Sequence, residues 1–288
     1  MSEILRLLKE KLLLDLQVTQ QLVSITKKQA IESLQQKERY QKDGCLVPFG
    51  YKMYSKNEED GLIREIFNRI GTTGKTFVEI GVEAGLENNT LALLFEGWRG
   101  LWIEGSPEHV RTMQAGFQKT IAEGRLSVAQ AFITRGNINQ MIGERFSGEI
   151  DLLSIDIDGN DYHVFDAITV VSPRVLVIEY NGKFRPPVMY CMAYDEKYQW
   201  DGTDNFGASL KFLEVNLKDK GYVLVGCNLT GGNAFFVKET LAGDRFLPPY
   251  TAENHYEPAR YELSAHTVGH RPSYKTLENR LPDAKRQR

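Results

Sequence analysis

Carboxylates stand at three places in this chain where their spacing could do chemistry. The first is a glycine-rich run, Phe77-Val-Glu-Ile-Gly-Val-Glu-Ala-Gly85, whose Glu79 and Glu83 fall with Glu87 just beyond it within nine residues. The second is Glu104, which closes the apolar segment Leu101-Trp-Ile-Glu104. The third is Ser154-Ile-Asp-Ile-Asp-Gly-Asn-Asp161, followed by Ile178-Glu-Tyr-Asn181 at the end of the next apolar segment. Gly81 and Gly85 permit a tight turn and close approach of backbone to a ligand. The run is not a dinucleotide fingerprint, because Glu83 occupies the place of the second glycine and would repel a pyrophosphate. It is not a P-loop either, since no Lys-Ser/Thr follows. A calcium loop counted from Asp156 fails as well: it needs Gly at position six and Glu at twelve, where Asp161 and Ala167 stand.

An acidic turn suits a cationic or zwitterionic ligand. An acidic side chain at the end of the second strand is placed to accept hydrogen bonds from ribose hydroxyls. Together these describe an adenosine ligand without phosphates, and S-adenosylmethionine, with its ribose, ammonium and sulfonium, fits. Asp156, Asp158 and Asp161 with Glu179 offer hard oxygen ligands from two strand ends, a set suited to Mg²⁺ or another divalent cation. A cation there would lower the pKa of a hydroxyl and orient it. His163 belongs to the residue type that exchanges protons near neutral pH, and it, Asp161 and Lys183 are the candidate bases. Asp161 is equally suited to cap a helix from 162.

The elements that must position these groups follow from the apolar pattern. Residues 2 to about 42 read as one or two helices, with Leu5, Leu8, Leu12 and Leu16 at three-and-four spacing. They are expected either to pair copies of the chain or to fold back on it. After a Gly/Pro break, helices are predicted over 58–70, 88–96, 107–121, 138–142, 162–171 and 207–220. Strands are predicted over 76–80, 100–103, 126–132, 150–155, 174–179, 222–227 and 234–237. Strands separated by helices imply a parallel sheet with right-handed crossovers. The last two, joined through Gly231-Gly232, imply an antiparallel hairpin.

Composition sets the background. The 288 residues are 42% hydrophobic and 25% charged, the balance of an ordinary globular protein. A net charge of −3 gives no general nucleic-acid field. Cys45, Cys191 and Cys227 lack zinc-site spacing, no run is long and apolar enough for a membrane span, and Lys9, Glu10, Lys11 and Asp15 interrupt what would be a secretory core. The expected location is the cytoplasm. The chain divides into a helical extension (1–54), an α/β domain (55–243) and a C-terminal extension (244–288) that ends in a basic tail.

Glu-Ile-Gly-Val-Glu-Ala-Gly85 resembles the first motif of class I S-adenosylmethionine-dependent methyltransferases, and Glu104 the acid of their second. Asn57-Glu-Glu-Asp-Gly61, Glu87-Asn-Asn-Thr90, Gly97-Trp-Arg-Gly100, Ile155-Asp-Ile-Asp-Gly-Asn-Asp161 and Ile178-Glu-Tyr-Asn181 are more narrowly similar to FkbM-type and sugar O-methyltransferases. The resemblance spans roughly residues 55–238. It implies a Rossmann-like seven-stranded sheet, mostly parallel with an antiparallel C-terminal hairpin, and O-methyl transfer to a sugar, glycan precursor or related polyol. It implies donor binding by Glu79, Gly81, Gly85, Asn89, Thr90, Glu104, Ser106, Phe132 and Asp156. Metal ligation by Asp156 and Glu179, with Asn181 or Asp158 as a third ligand, also comes from the resemblance. In the family pattern the acid and amide are adjacent, whereas Tyr180 separates Glu179 from Asn181 here.

About 25 residues separate Asn181 from Gly207, against about 2–6 for ordinary β–α loops. This insertion reads as a substrate lid, with Asp158, Arg185, Tyr194 and Trp200 as substrate contacts. Two rival readings remain: a sugar-nucleotide glycosyltransferase using Asp156-Ile-Asp158, and a non-catalytic scaffold of the same fold.

Overall fold

Short runs of Val, Ile, Leu and Phe bounded by glycine and polar turns form strands that bury both faces. In the computed structural model, which describes residues 3–263 and 273–274, they are β1 (Thr76–Ile80), β2 (Arg99–Glu104), β3 (Leu126–Gln130), β4 (Gly148–Ile155), β5 (Val171–Glu179), β6 (Tyr222–Cys227) and β7 (Asn233–Lys238). One sheet joins them in the order β3-β2-β1-β4-β5-β7-β6. β1 to β5 are parallel, and β7 runs antiparallel between β5 and β6. This is the expected Rossmann-like methyltransferase sheet.

The helices are α1 (Glu3–Gln35), α2 (Glu59–Ile70), α3 (Leu91–Phe95), α4 (Pro107–Gly116), α5 (Gln118–Ala122), α6 (Ile138–Gly143), α7 (Asp161–Ala167) and α8 (Leu210–Lys218), with short turns of helix at Glu239–Ala242 and Ala252–His255. They cover both faces of the sheet. Leu62, Ile63 and Ile66 of α2, Leu94 of α3 and Met113 of α4 pack with Phe77, Trp102 and Val175. Ile142 of α6, Val164 of α7 and Leu213 of α8 pack with Val78, Leu153 and Leu176 on the other side.

Three of the helices that differ from the sequence reading do so for a plain local reason. The predicted 107–121 helix breaks at Phe117, whose non-helical backbone (φ −111°, ψ 28°) sits between α4 and α5 while its ring is fully buried edge-on against Trp102. The 88–96 helix is reduced to α3 because Asn88 Oδ1 accepts from the N–H groups of Thr90 and Leu91. The 162–171 helix stops at Ala167, because Asn139 Oδ1 draws the N–H groups of Thr169 and Val170 at 2.7 and 3.1 Å and Val171 already belongs to β5.

α1 makes up most of the N-terminal segment, and two single turns of helix follow it, Glu38–Tyr40 and Val47–Phe49. None of the residues of α1 is buried, and Leu5, Leu8, Leu12 and Leu16 are exposed. Only its last turns reach the body, where Ile31 and Leu34 pack against Tyr40, Val47 and Leu229. The buried carboxylate of Glu257 ties this junction together, accepting from Tyr40 Oη and pairing with Arg39 and Arg260. Phe246, Ala252 and His255 of the C-terminal extension are buried; the basic tail lies outside the described residues. No helix among the described residues is long and apolar enough to cross a membrane.

The loop before β1 hangs on one buried acid. Asp151 of β4 accepts from the N–H groups of Thr73, Gly74 and Thr76 and pairs with Arg174 of β5 at 2.8 Å. Burial works to raise its pKa, but these donors outweigh it and hold the carboxyl below its ordinary value. Replacing Asp151 by Ala removes the nearest carboxylate from a guanidinium that is only 6% exposed, leaving it the Ile70 and Gly71 carbonyls and Glu149 at 3.9 Å. The expected cost is about 3–5 kcal/mol, read as a lower urea midpoint; a loss below about 1 kcal/mol would show that solvent reaches the pair.

Candidate functional site

Parallel strands bring their carboxyl ends to one edge, and the strand order reverses between β1 and β4, which opens a crevice there. A cavity of about 470 Å³ occupies it. Its walls include Glu79, Gly81, Asn89, Glu104, Phe132, Asp156, Asp158 and Trp200, all singled out in the sequence.

Gly81 extends the sheet by one step: its N–H donates to Ile103 O, while Asp156 N–H donates to Ile80 O. A Cβ on Gly81 would lie 1.8 Å from the Asp156 carbonyl oxygen, and its φ of +81° disfavours any side chain. Gly85 serves packing instead, lying under Met113 and Trp102 rather than on the cavity wall. Glu104 closes β2 and reaches across the turn. Its Oε2 accepts from Glu83 N–H at 2.8 Å and its Oε1 from Ser106 N–H at 2.9 Å. Each oxygen keeps lone-pair capacity for a ligand hydroxyl. Ser106 caps α4 through His109 N–H. Phe132 presents a half-exposed ring to the cavity.

Glu79 is held from behind. Thr90 Oγ1 and Asn89 N–H donate to its two oxygens, and Trp102 Nε1 donates to Thr90. Thr90 therefore acts through Glu79 rather than on a ligand. Burial pushes the Glu79 carboxyl up to about 8 against the pull of these donors.

The second acidic group gathers as the topology requires, because β4 and β5 are neighbours. Ligand oxygens of Asp156, Asp158 and Glu179 lie within 4.8 Å of one another. Burial, with Asp161 next in effect, pushes Asp156 up to about 7. Burial followed by the charge of Asp156 raises Glu179 well above its ordinary value. Glu179 Oε2 is buried without a hydrogen-bond partner. Asp158 holds a left-handed backbone (φ +54°) in the turn that Asp161 ties by accepting from Ile157 and Gly159 N–H.

Several side chains expected at the site are engaged elsewhere. Asn181 donates to Asp204 O and Phe206 O and accepts from Lys183 N–H, so its amide holds the long loop and Asp158 takes the third place in the cluster. His163 Nε2 lies 2.7 Å from Met192 O. A carbonyl only accepts, so that nitrogen carries the proton and cannot take another. The ring stacks edge-on with Tyr194, away from the cavity wall. Tyr194 Oη accepts from Arg135 N–H, and the exposed Arg185 sits over Tyr256.

The long loop is fastened down. Asn160 Nδ2 donates to Asp195 O at 2.7 Å, Tyr198 Oη to Asn205 O and Trp200 Nε1 to Thr203 O. Gly159 lets the Tyr198 ring lie against the turn, since a Cβ there would be 2.5 Å from it. The loop thus supplies a wall of Tyr198, Gln199 and Trp200. Lys56, which also lines the cavity, was not singled out in the sequence. The signal for Lys56 was its place directly before Asn57-Glu-Glu-Asp-Gly61.

No protein-family model matches this chain, and no curated protein matches it. Solved structures do resemble it at low identity. An O-methyltransferase from Bacillus cereus in complex with SAH has 14% identity over 74% of this chain and 88% of its own, with a TM-score of 0.41. A magnesium protoporphyrin IX methyltransferase from Synechocystis with bound SAM has 14% identity over 62% of this chain and 77% of its own, with a TM-score of 0.38. Likeness at this level bears on neither acceptor nor residue roles.

The raised Glu79 pKa has a consequence for stability. The native carboxyl keeps its proton up to about 8, whereas the unfolded chain loses it near the ordinary 4.5. Between those values the native state binds more protons, so Glu79 lowers stability as pH rises and stops doing so above its native pKa. Urea unfolding of Glu79→Gln beside the parent should show the variant gaining relative stability from pH 5 to pH 8 and no further gain above. A difference that does not vary with pH would contradict a buried, protonated Glu79.

Proposed function

We propose that this chain is an S-adenosylmethionine-dependent O-methyltransferase acting on a hydroxyl of a sugar, glycan precursor or related polyol. The observation that carries the reading is one cavity walled by the glycine turn, by Glu104 and by Asp156 with Asp158. Glu104 accepts from the donor ribose hydroxyls, and the bare Gly81 lets the donor lie against the backbone. Asp156 stands where a cationic centre of the donor needs a partner, with Glu79 beside it on the cavity wall. The acceptor hydroxyl enters from the Asp158–Glu179 side, against Tyr198 and Trp200, whose faces suit the C–H surface of a sugar ring. Its oxygen attacks the sulfonium methyl in line: the O–C bond forms, the C–S bond breaks, and the electron pair returns to sulfur. A carboxylate of the cluster takes the hydroxyl proton, a role His163 cannot fill through its bonded nitrogen. Alignment and electrostatics account for the rate.

The cluster also fits a divalent cation. Three carboxylates with ligand oxygens within 4.8 Å, one buried without a partner, are the hard donor set that Mg²⁺ or Mn²⁺ takes. Asp156, Asp158 and Glu179 would hold it, and when bound it would lower the acceptor hydroxyl's pKa.

Calorimetric titration with S-adenosylhomocysteine tests the donor. Micromolar binding is expected, weakened about tenfold or more in Glu104→Ala by loss of a charge-assisted pair of hydrogen bonds. No binding at millimolar ligand would remove the methyltransferase reading and bring forward the glycosyltransferase and scaffold alternatives. Acceptors would then be screened among oligosaccharides and nucleotide sugars.

The exposed leucines of α1 support pairing of copies through this helix. Residues 3–16 carry Glu3, Glu10 and Asp15 against Arg6, Lys9 and Lys11, an even balance unlike the Lys/Arg-rich face of a membrane-surface helix. Light scattering should give a multiple of 32.8 kDa, falling to that mass in Leu8→Glu/Leu12→Glu; a monomeric parent would refute the pairing.

A further inference from the structure

The segment Asn57-Glu-Glu-Asp-Gly61 stands apart in the sequence, yet none of the steps above uses it. In the structure it is a clasp. Asp60 Oδ2 accepts from the N–H groups of Met53, Tyr54 and Ser55 at 2.6, 2.7 and 2.8 Å and from Ser55 Oγ. Glu59 accepts from Asn57 N–H and from the side-chain amides of Asn228, in the β6–β7 connection, and Asn233, at the start of β7. A Cβ on Gly61 would fall 2.2 Å from Phe49 O, so this residue type is what lets the preceding strand of chain pass. Lys52 Nζ donates to Lys56 O and Glu87, and Asn88 N–H donates to Tyr54 O.

All of these bonds fix the backbone on either side of Lys56. Its side chain lines the cavity together with Glu83, Asp156 and Asp158. Asp156 foremost, with Glu179, Asp158 and Glu83 behind it, raises the Lys56 pKa against the opposing effect of burial. Its ammonium thus shares the cavity with Asp156 and Asp158, two of the three carboxylates of the candidate metal cluster. A second positive charge approaching the same oxygens must work against it.

We propose that Lys56 is the resident cation of the Asp156–Asp158–Glu179 cluster, supplying the positive charge a divalent ion would bring and keeping the cluster's affinity for such an ion low. The clasp holds it in that place. This deepens the reading of the cluster as the acceptor side of the cavity, and it is tested without turnover.

The full chain, its Lys56→Gln and Lys56→Arg variants, and Lys56→Gln/Glu179→Gln are titrated with Mn²⁺, the free ion being followed by electron paramagnetic resonance. S-adenosylhomocysteine binding and the thermal midpoint are measured on the same samples. Lys56→Gln is expected to bind Mn²⁺ about tenfold more tightly or better than the parent, by loss of a nearby like charge. Lys56→Arg should stay with the parent, and Glu179→Gln should cancel the gain, which places the ion in the cluster. Equal affinities for the parent and Lys56→Gln, an equal gain in Lys56→Arg, or no Mn²⁺ binding by either at millimolar ion would overturn the proposal. Failure to bind S-adenosylhomocysteine would instead count against the donor assignment, leaving the Mn²⁺ comparison intact.

Discussion

Desolvated carboxylates crowded at the ends of neighbouring parallel strands are the constraint on which the site depends. β1 ends in Glu79 and Ile80, β2 in Glu104, β4 leads into Asp156, and β5 ends in Glu179. Parallel pairing leaves no freedom to spread these groups, because register fixes the strand ends beside one another. Like charges taken out of water at this spacing cannot all stay ionised without partners, and burial is the largest cause of the raised pKa of Glu79, Asp156 and Glu179. The protein tolerates this arrangement with one nearby ammonium and one carboxylate oxygen left unpaired. Such a site is poised to receive positive charge, which is the physical reason a sulfonium donor suits it and a polyphosphate does not.

A single device positions most of these acids and the loops around them: a carboxylate accepting backbone N–H groups. Glu104 closes the glycine turn through Glu83 and Ser106, Asp161 closes the turn bearing Asp158, Asp60 closes the strap bearing Lys56, and Asp151 closes the approach to β1. These bonds are charge-assisted and so stronger than neutral ones. They also explain how Glu83 and Asp158 can keep a positive φ, a conformation that costs free energy for residues other than glycine.

What the sequence makes legible follows from this. β1 and β6 are found with the bounds read from the pattern, because strands buried on both faces are mostly apolar and end at polar turns. The carboxylates at strand ends are legible too, since this topology converts "last residue of an apolar strand" into "wall of the crevice". Helix ends are less legible: Asn88 and Asn139 spend side-chain oxygens on backbone N–H groups, and an amide that caps looks in sequence like any other polar residue. His163, Asn181 and Arg185 lie near the correct strand ends but point into the long loop or away from it. Their direction is set by that loop's own packing, which carries no periodicity to read.

Lys56 was illegible for a different reason, one that also explains the antiparallel end of the sheet. It lies just before α2, some twenty residues upstream of β1, yet it reaches the crevice at the carboxyl ends. The chain can return there only if something holds it, and what holds it is Glu59, bonded to Asn228 and Asn233 across the whole length of the domain. Asn228 begins the connection that turns β6 back as β7, and Asn233 is the first residue of β7. Had β7 been a further parallel strand, its carboxyl end rather than its start would lie at this edge, and Asn233 would be at the opposite end of the sheet. The antiparallel hairpin therefore does more than close the sheet: its turn is the fixed point against which the first motif of the domain locks, so the beginning and end of the fold jointly determine which charge faces the acidic cluster.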